Sequence, residues 1–328
     1  MVKLAQPVIR ITTPHREFKD EGSIFSVTVF PDGRRMASGS LDRTVRLWDL
    51  KDGVVLKKMK GHSGKVWSVA VSRDGQFIAS GDENGELIAW HGDTGEPLTQ
   101  IIKVHSKQIL SLDFSPDGDL LATGSWDRTT ELWSTQKWQV QGNPISCGAN
   151  VQCVRFSPSG ELLAIATWGS DIQIWNPRTS ECIAKLRGAM NGNGSVAWTP
   201  DGKRLLSGGG TRLGPNIWEW DTSTWQSVGD PWSGHSDQIT ALTVNSAGTL
   251  VASASHDSHV RLWCLSERRA IAIFKASDTL HTVAFSIDGK YILCGGGNNL
   301  KNITEWAVPD GALLEDTPRE RASDVGSG

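Results

Sequence analysis

A chain of 328 residues with 33 Lys plus Arg against 36 Asp plus Glu has a formal charge of −3, which excludes nucleic acid or an anionic membrane as the evident partner. No apolar run reaches the roughly 18 residues of a membrane helix, and the opening MVKLAQPVIRITT lacks a signal-peptide core, so a soluble, cytoplasmic protein is expected. The cysteines Cys147, Cys153, Cys182, Cys264 and Cys294 are odd in number and form no C-x-x-C pair, which argues against a disulfide framework or a zinc site; they read as buried thiols.

The first predicted element is PVIRITT (7–13), a β-branched, alternating segment. Seven turns follow along the chain: FPDG (30–33), SRDG (72–75), SPDG (115–118), SPSG (157–160), TPDG (199–202), NSAG (245–248) and SIDG (286–289), each with a glycine to supply the closing positive φ. Short alternating or apolar runs flank them, such as VWSVAV before and FIASG after. Downstream of each turn stands one tryptophan, and Trp48, Trp90, Trp133, Trp175, Trp220, Trp263 and Trp306 are 42, 43, 42, 45, 43 and 43 residues apart. Each unit reads as three strands joined by turns, with a fourth such as VVLKK (54–58) after the tryptophan. One sheet of that size cannot bury both faces, whereas seven packed around an axis can. The expected fold is therefore all-β, a seven-bladed β-propeller of four-stranded antiparallel blades over residues 1–315. PVIRITT is expected to complete the seventh blade, so that an N-terminal strand closes the ring; GALLE (311–315) is the competing closure strand, and residues 316–328 read as a polar, disordered tail.

GHSGKVWSVAVSRDG and ASGSLDRTVRLWD, with their registered copies over about residues 8–310, resemble the tryptophan-aspartate (WD) repeat family. The resemblance implies the same seven-bladed propeller and a hydrogen-bonded tetrad of His, Ser or Thr, Asp and third-strand Trp. His105, Thr123, Asp127 and Trp133 match all four positions, as do His235, Ser253, Asp257 and Trp263. His62, Ser80, Asn84 and Trp90 keep the layout with an amide for the carboxylate, while Ser38, Asp42 and Trp48 have no matching His. Cys147, Ala189 and Ala276 stand at the His position of blades four, five and seven, which are expected to rely on packing. These residue types also build hydrolytic triads, but no G-x-S-x-G elbow accompanies them, so no catalytic site is expected. GAMNGNG (188–194) and GGGTRLG (208–214) lack the ending of a phosphate-binding loop; the second, like GGGNNLKN (295–302), is an enlarged turn between second and third strands. Neither a cofactor nor a metal ion is expected.

Trp126 precedes the tetrad Asp127 at a turn tip and is placed on the loop-rich rim, whereas Trp133 lies inside its blade. Leu41, Glu83, Trp168 and His256 are its counterparts, and Phe25, Lys65, Trp67 and Leu110 lie at the starts of first strands near the channel mouth. Apolar members concentrate in blades one to four. A protein or peptide is expected to dock there, with Trp67, Trp126 and Trp168 as anchors, Phe25, Leu41 and Leu110 around them, and Lys65 and Glu83 setting polarity. The resemblance implies the same face, because WD-repeat proteins use it for partners. A channel enzyme or small-ligand receptor lined by His281, His256 and Arg212 is the rival reading, and a self-associating structural protein a third; the chain is expected to be monomeric alone.

Overall fold

The computed structural model describes residues 7–169, 171–186, 193–210, 214–297 and 301–312. Its sheets form seven blades in chain order. Blade one comprises Ile24–Val29, Arg35–Ser40, Thr44–Asp49 and Val55–Lys60. Each later blade repeats that meander, with inner strands Val66–Val71, Ile109–Phe114, Val151–Phe156, Asn193–Trp198, Ile239–Val244 and Thr282–Phe285. In blade three the outer strand is split into Gln139–Val140 and Ile145–Ser146, both paired with the third strand. All seven turn glycines, Gly33, Gly75, Gly118, Gly160, Gly202, Gly248 and Gly289, have φ between +65° and +80°, the region that an L side chain rarely enters.

The core lies between blades. Successive residues of the second and third strands are buried, as in Arg35–Ser40 and Thr44–Asp49, so both faces of a blade must meet a neighbour. Seven buried clusters result, each spanning two adjacent blades. Inner-strand hydroxyls add cross-links between them: the N–H groups of Val27, Val69, Val154 and Leu242 donate to Thr282 Oγ1, Ser26 Oγ, Ser111 Oγ and Ser195 Oγ at 3.0–3.2 Å, each across a blade boundary.

An N-terminal strand closes the ring, but PVIRITT is not that strand. Arg16–Lys19 pairs antiparallel with Asn302–Ala307 as the outer strand of blade seven. Ile9–Ile11 instead lies parallel to Arg269–Lys275 as a fifth strand on blade six. The reason is burial. Val8 and Ile9 remain exposed, whereas Phe18 is buried edge-on to Trp48 with ring centroids 6.2 Å apart, and Arg16 meets Glu305 at 3.0 Å. GALLE contributes Gly311 and Ala312 to a single 3-10 turn, Asp310–Ala312; the rest of GALLE and the expected tail lie outside the described residues. Cys147, Cys153, Cys264 and Cys294 are buried as expected, but Cys182 is exposed on an outer strand.

The tetrads differ from the sequence pattern in instructive ways. In blade six His235 contacts Asp257 at 2.8 Å and Ser253 at 2.7 Å, and Trp263 Nε1 donates to Ser253 at 2.8 Å. In blade three His105 reaches Asp127 at 3.0 Å and Thr123 at 2.8 Å, yet the buried Trp133 N–H has no acceptor among the described residues. Blade two recovers its carboxylate from a different place: His62 contacts Asp82 at 3.2 Å and Ser80 at 2.6 Å, so Asp82, two residues before Asn84, completes the network. Blades four, five and seven do not rely on packing alone. Trp175 donates to Gln173, whose amide donates to the Cys147 carbonyl; Trp220 donates to Ser207; Trp306 donates to Thr304 and to Cys294. Ala189 lies outside the described residues.

Blade one replaces the histidine altogether. Asp20 stands at that position, and Arg46 bridges it to Asp42, with Nη1–Oδ1 of 2.7 Å and Nη2–Oδ2 of 2.5 Å. Burial pushes the Asp20 carboxyl up despite this cation, while hydrogen bonds from Thr44 and Arg46 outweigh burial at Asp42 and hold its carboxyl low.

Candidate interaction site at the channel mouth

A β-bulge at the start of the inner strands builds the site. Register breaks between Ile24 and Ser26, Val66 and Ser68, Ile109 and Ser111, Val151 and Cys153, Asn193 and Ser195, and Ile239 and Ala241 leave one unpaired residue in each. Those residues are Phe25, Trp67, Leu110, Gln152, Gly194 and Thr240, and all of them line one concavity of about 510 Å³ at the channel mouth. Bulges take a side chain out of the ladder and re-aim it. In this ring the five that carry side chains, all but Gly194, border the mouth.

The turn residues form a second tier. Backbone N–H groups of Leu41, Glu83, Trp126, Trp168 and His256 donate to the carbonyls of Ser23, Lys65, Gln108, Asn150 and Gln238 at 2.8–3.1 Å, which ties each turn to the loop entering its own inner strand. Trp126, Trp168 and His256 thereby reach the same concavity, together with His281. The structure thus brings together five of the eight residues proposed for the rim, namely Phe25, Trp67, Leu110, Trp126 and Trp168. It does not bring in Leu41, Lys65 or Glu83. Lys65 Nζ meets Glu83 Oε2 at 3.4 Å, so the two charges answer each other beside the mouth.

Trp126 and Trp168 are 40% and 47% exposed. Asn150, with its amide oxygen turned to the indole, accepts from Trp126 Nε1 at 2.8 Å and holds the ring upright. Trp67 lies edge-on to Phe25 with centroids 4.3 Å apart, Phe25 stacks on His281 at 4.3 Å, and His281 meets His256 at 5.3 Å. This aromatic chain crosses from blade two through blades one and seven to blade six. The two histidines, named as polar lining in the rival channel reading, with His256 also a turn-tip counterpart of Trp126, are therefore part of the same wall; Arg212 lies outside the described residues. Among the described residues that line it there is no Lys, Arg, Asp or Glu, and the buried Trp67 N–H has no acceptor among the described residues. Deeper in the channel Asp113 and Arg155 face a cavity of about 270 Å³, and burial pushes the Asp113 carboxyl up to about 6.

Burial, and secondarily the adjacent His256, depress His281 to about 4, so it is neutral at pH 7. Because its unfolded value is near 6.5, the folded state binds fewer protons as pH falls through that interval, and stability drops on acidification from about pH 6.5 to 4. His281→Gln is expected to flatten this part of the profile; denaturant melts at pH 7 and pH 4.5 for both proteins measure it, and an unchanged slope would place the acid loss elsewhere. Among the described residues no cluster of three or more His, Cys, Asp or Glu could hold a metal ion, and no helix is long and apolar enough to cross a membrane.

Comparison with known proteins agrees with the architecture. The family described as IFT122 first beta-propeller matches residues 23–213, and the WD domain, G-beta repeat, matches residues 226–264. A guanine nucleotide-binding protein subunit beta of Oryza sativa subsp. indica is 32% identical over 143 residues, 40% of this chain and 36% of that one. The Drosophila melanogaster protein SEC13 homolog is 25% identical over 293 residues, covering 84% and 74%, and Arabidopsis thaliana autophagy-related protein 16 is 22% identical over 274 residues, covering 82% and 53%. The chain thus spans little more than a third of the β subunit it matches and about half of the autophagy protein. With seven blades, the repeated turn and anchor tryptophan, and a family match over more than half its length, this chain belongs to the WD-repeat β-propeller family.

Proposed function

We propose that this protein is a non-catalytic interaction scaffold that captures a protein or peptide at the channel mouth, on the rim of blades one to four and with His256 and His281 completing the wall. The observation that carries this reading is the pair of exposed tryptophans, Trp126 and Trp168, over a concavity whose described lining residues include no Lys, Arg, Asp or Glu. Soluble proteins rarely leave such a patch uncovered. A largely apolar, aromatic wall suits an apolar side chain of the partner. One relative is by its description a subunit of a guanine nucleotide-binding protein, and that supports a protein as the partner. The protein works as a monomer in the cytoplasm, with neither nucleic acid nor membrane as its ligand.

Replacing Trp126 and Trp168 together by Ala is the test. Truncation of a central aromatic at an interface costs about 2 kcal/mol, so capture of the natural partner from lysate should weaken at least roughly tenfold, while the melting temperature stays within a few degrees because both rings are exposed. Equal capture by the double variant would refute the site; a collapsed melt with binding intact would make the rings part of the fold.

A further inference from the structure

We propose that the outer edge of blade six is a docking site for an extended segment of a partner protein, apolar at alternate positions and acidic between them, and that this chain's own Ile9–Ile11 covers the edge until such a segment displaces it. The edge strand, Arg269–Lys275, has seven residues and carries only apolar side chains from Ala270 to Phe274. A bare edge of that kind templates the addition of another strand, and proteins commonly guard such edges with charge. Val55–Lys60, the outer strand of blade one, is guarded in that way by Lys57, Lys58 and Lys60. In Arg269–Lys275 the charges stand only at the two ends, and the edge is covered instead. Ile9–Ile11 lies along it in parallel, pairing Ile9 with Ala272, Arg10 with Ile273 and Ile11 with Phe274. Backbone pairing with alternate side chains turned to one face is the mode by which an extended peptide adds to a sheet.

The cover is weakly held. It pairs at three residues, of which Ile11 alone is half-buried, against the cluster that joins blades six and seven. No side-chain hydrogen bond or ion pair anchors residues 7–13 among the described residues. Closure of the ring belongs to Arg16–Lys19, so release of the cover leaves the seam intact. Its charge is also of the wrong sign. Arg10 stands opposite Ile273, which stands opposite Arg261, so the two arginines share one row on one face of the blade, about 10 Å apart across two strand spacings. Arg261 has no ion pair among the described residues; burial disfavours its charge most, Asp257 favours it, and the Arg10 guanidinium opposes it. A carboxylate in place of Arg10 turns that repulsion into attraction at the same range, with no need of contact with the sealed Arg261 Nε. Apolar residues at the places of Ile9 and Ile11 keep the face that Ile11 now presents to the cluster.

A synthetic heptapeptide of residues 7–13 carrying Arg10→Glu is the probe. Titrated into the full chain, it should bind saturably near one equivalent, and hydrogen exchange should show the amides of Ile9–Ile11 losing protection while those of Arg269–Lys275 keep it. Ile11→Asp in the full chain loosens the cover without altering the edge strand, and it should raise the affinity severalfold because the tethered segment then competes less. The peptide that retains Arg10 should bind severalfold more weakly than the acidic one, and a scrambled peptide of the acidic composition should not bind. Absence of saturable binding by the Ile11→Asp chain overturns the proposal. So does binding that leaves Ile9–Ile11 of the unaltered chain protected, which would place the peptide elsewhere, and so does equal affinity for the scrambled peptide or for the one with Arg10.

Discussion

Phe18→Ala is expected to destabilise the protein by about 3–5 kcal/mol, the usual cost of emptying a buried aromatic position. Phe18 is the buried residue of Arg16–Lys19, the strand that closes the ring, and it packs with Met36, Trp48 and Leu50 of blade one and with Leu293 and Ile303 of blade seven. Its loss weakens a seam, not only a cavity wall, since blades one and seven are joined there by an outer strand drawn from the other end of the chain. Deleting residues 1–13 should have a far smaller effect, because Ile9–Ile11 adds a mostly exposed fifth strand to a blade that already has four. Deleting residues 1–19 removes the closing strand and should lower stability at least as much as Phe18→Ala, leaving Asn302–Ala307 as a bare edge prone to association. Denaturant unfolding of the three proteins, with light scattering for the longer truncation, measures this. A 1–13 deletion as damaging as Phe18→Ala would return closure to PVIRITT.

Arg46→Ala should be about as costly, roughly 3–5 kcal/mol at neutral pH, because it strands Asp20 as a buried charge without its counter-ion. The Asp20 side chain is fully buried and one of its oxygens accepts no hydrogen bond among the described residues. Burial already raises this carboxyl, and without the guanidinium it rises further. A carboxyl whose folded pKa exceeds its unfolded value takes up a proton on folding, so the penalty in the variant is full above the folded pKa and fades as pH falls toward the unfolded value. The deficit relative to the unaltered protein should therefore shrink on mild acidification. Adding Asp20→Asn should restore much of the lost stability at pH 7, a coupling that a double-mutant cycle reads directly. A deficit that does not change with pH would show that Arg46 contributes packing rather than charge.

Much of the body of this protein was legible before any coordinates. The seven turn glycines and seven spaced tryptophans predicted seven blades, because a positive φ and a period-two strand are properties of a few consecutive residues. The closure strand was misplaced for the same reason. PVIRITT alternates convincingly and does form a strand, but alternation says nothing about which edge will accept it. REFK (16–19) carried a usable signal in its single buried Phe18 and in its position shortly before Ile24, much as Val55–Lys60 sits before Val66. At the candidate site, Trp126 and Trp168 were legible as turn-tip aromatics. His256 and His281 were assigned to a different reading, because their approach to Phe25 joins residues more than 200 positions apart in sequence.

By itself, then, the sequence determined the repeat, the blade count and the sides on which the tryptophans fall, all of which follow from turn chemistry and strand period acting locally. Tertiary structure alone decided which N-terminal strand seals the ring, that Asp82 rather than Asn84 meets His62, and that Trp133 lacks an acceptor while Trp263 finds one. It also decided that six bulged residues converge on a single mouth, whose described lining residues include no Lys, Arg, Asp or Glu. Those outcomes depend on which buried surfaces and donors find complements across the ring, and that choice is made between segments distant in the chain.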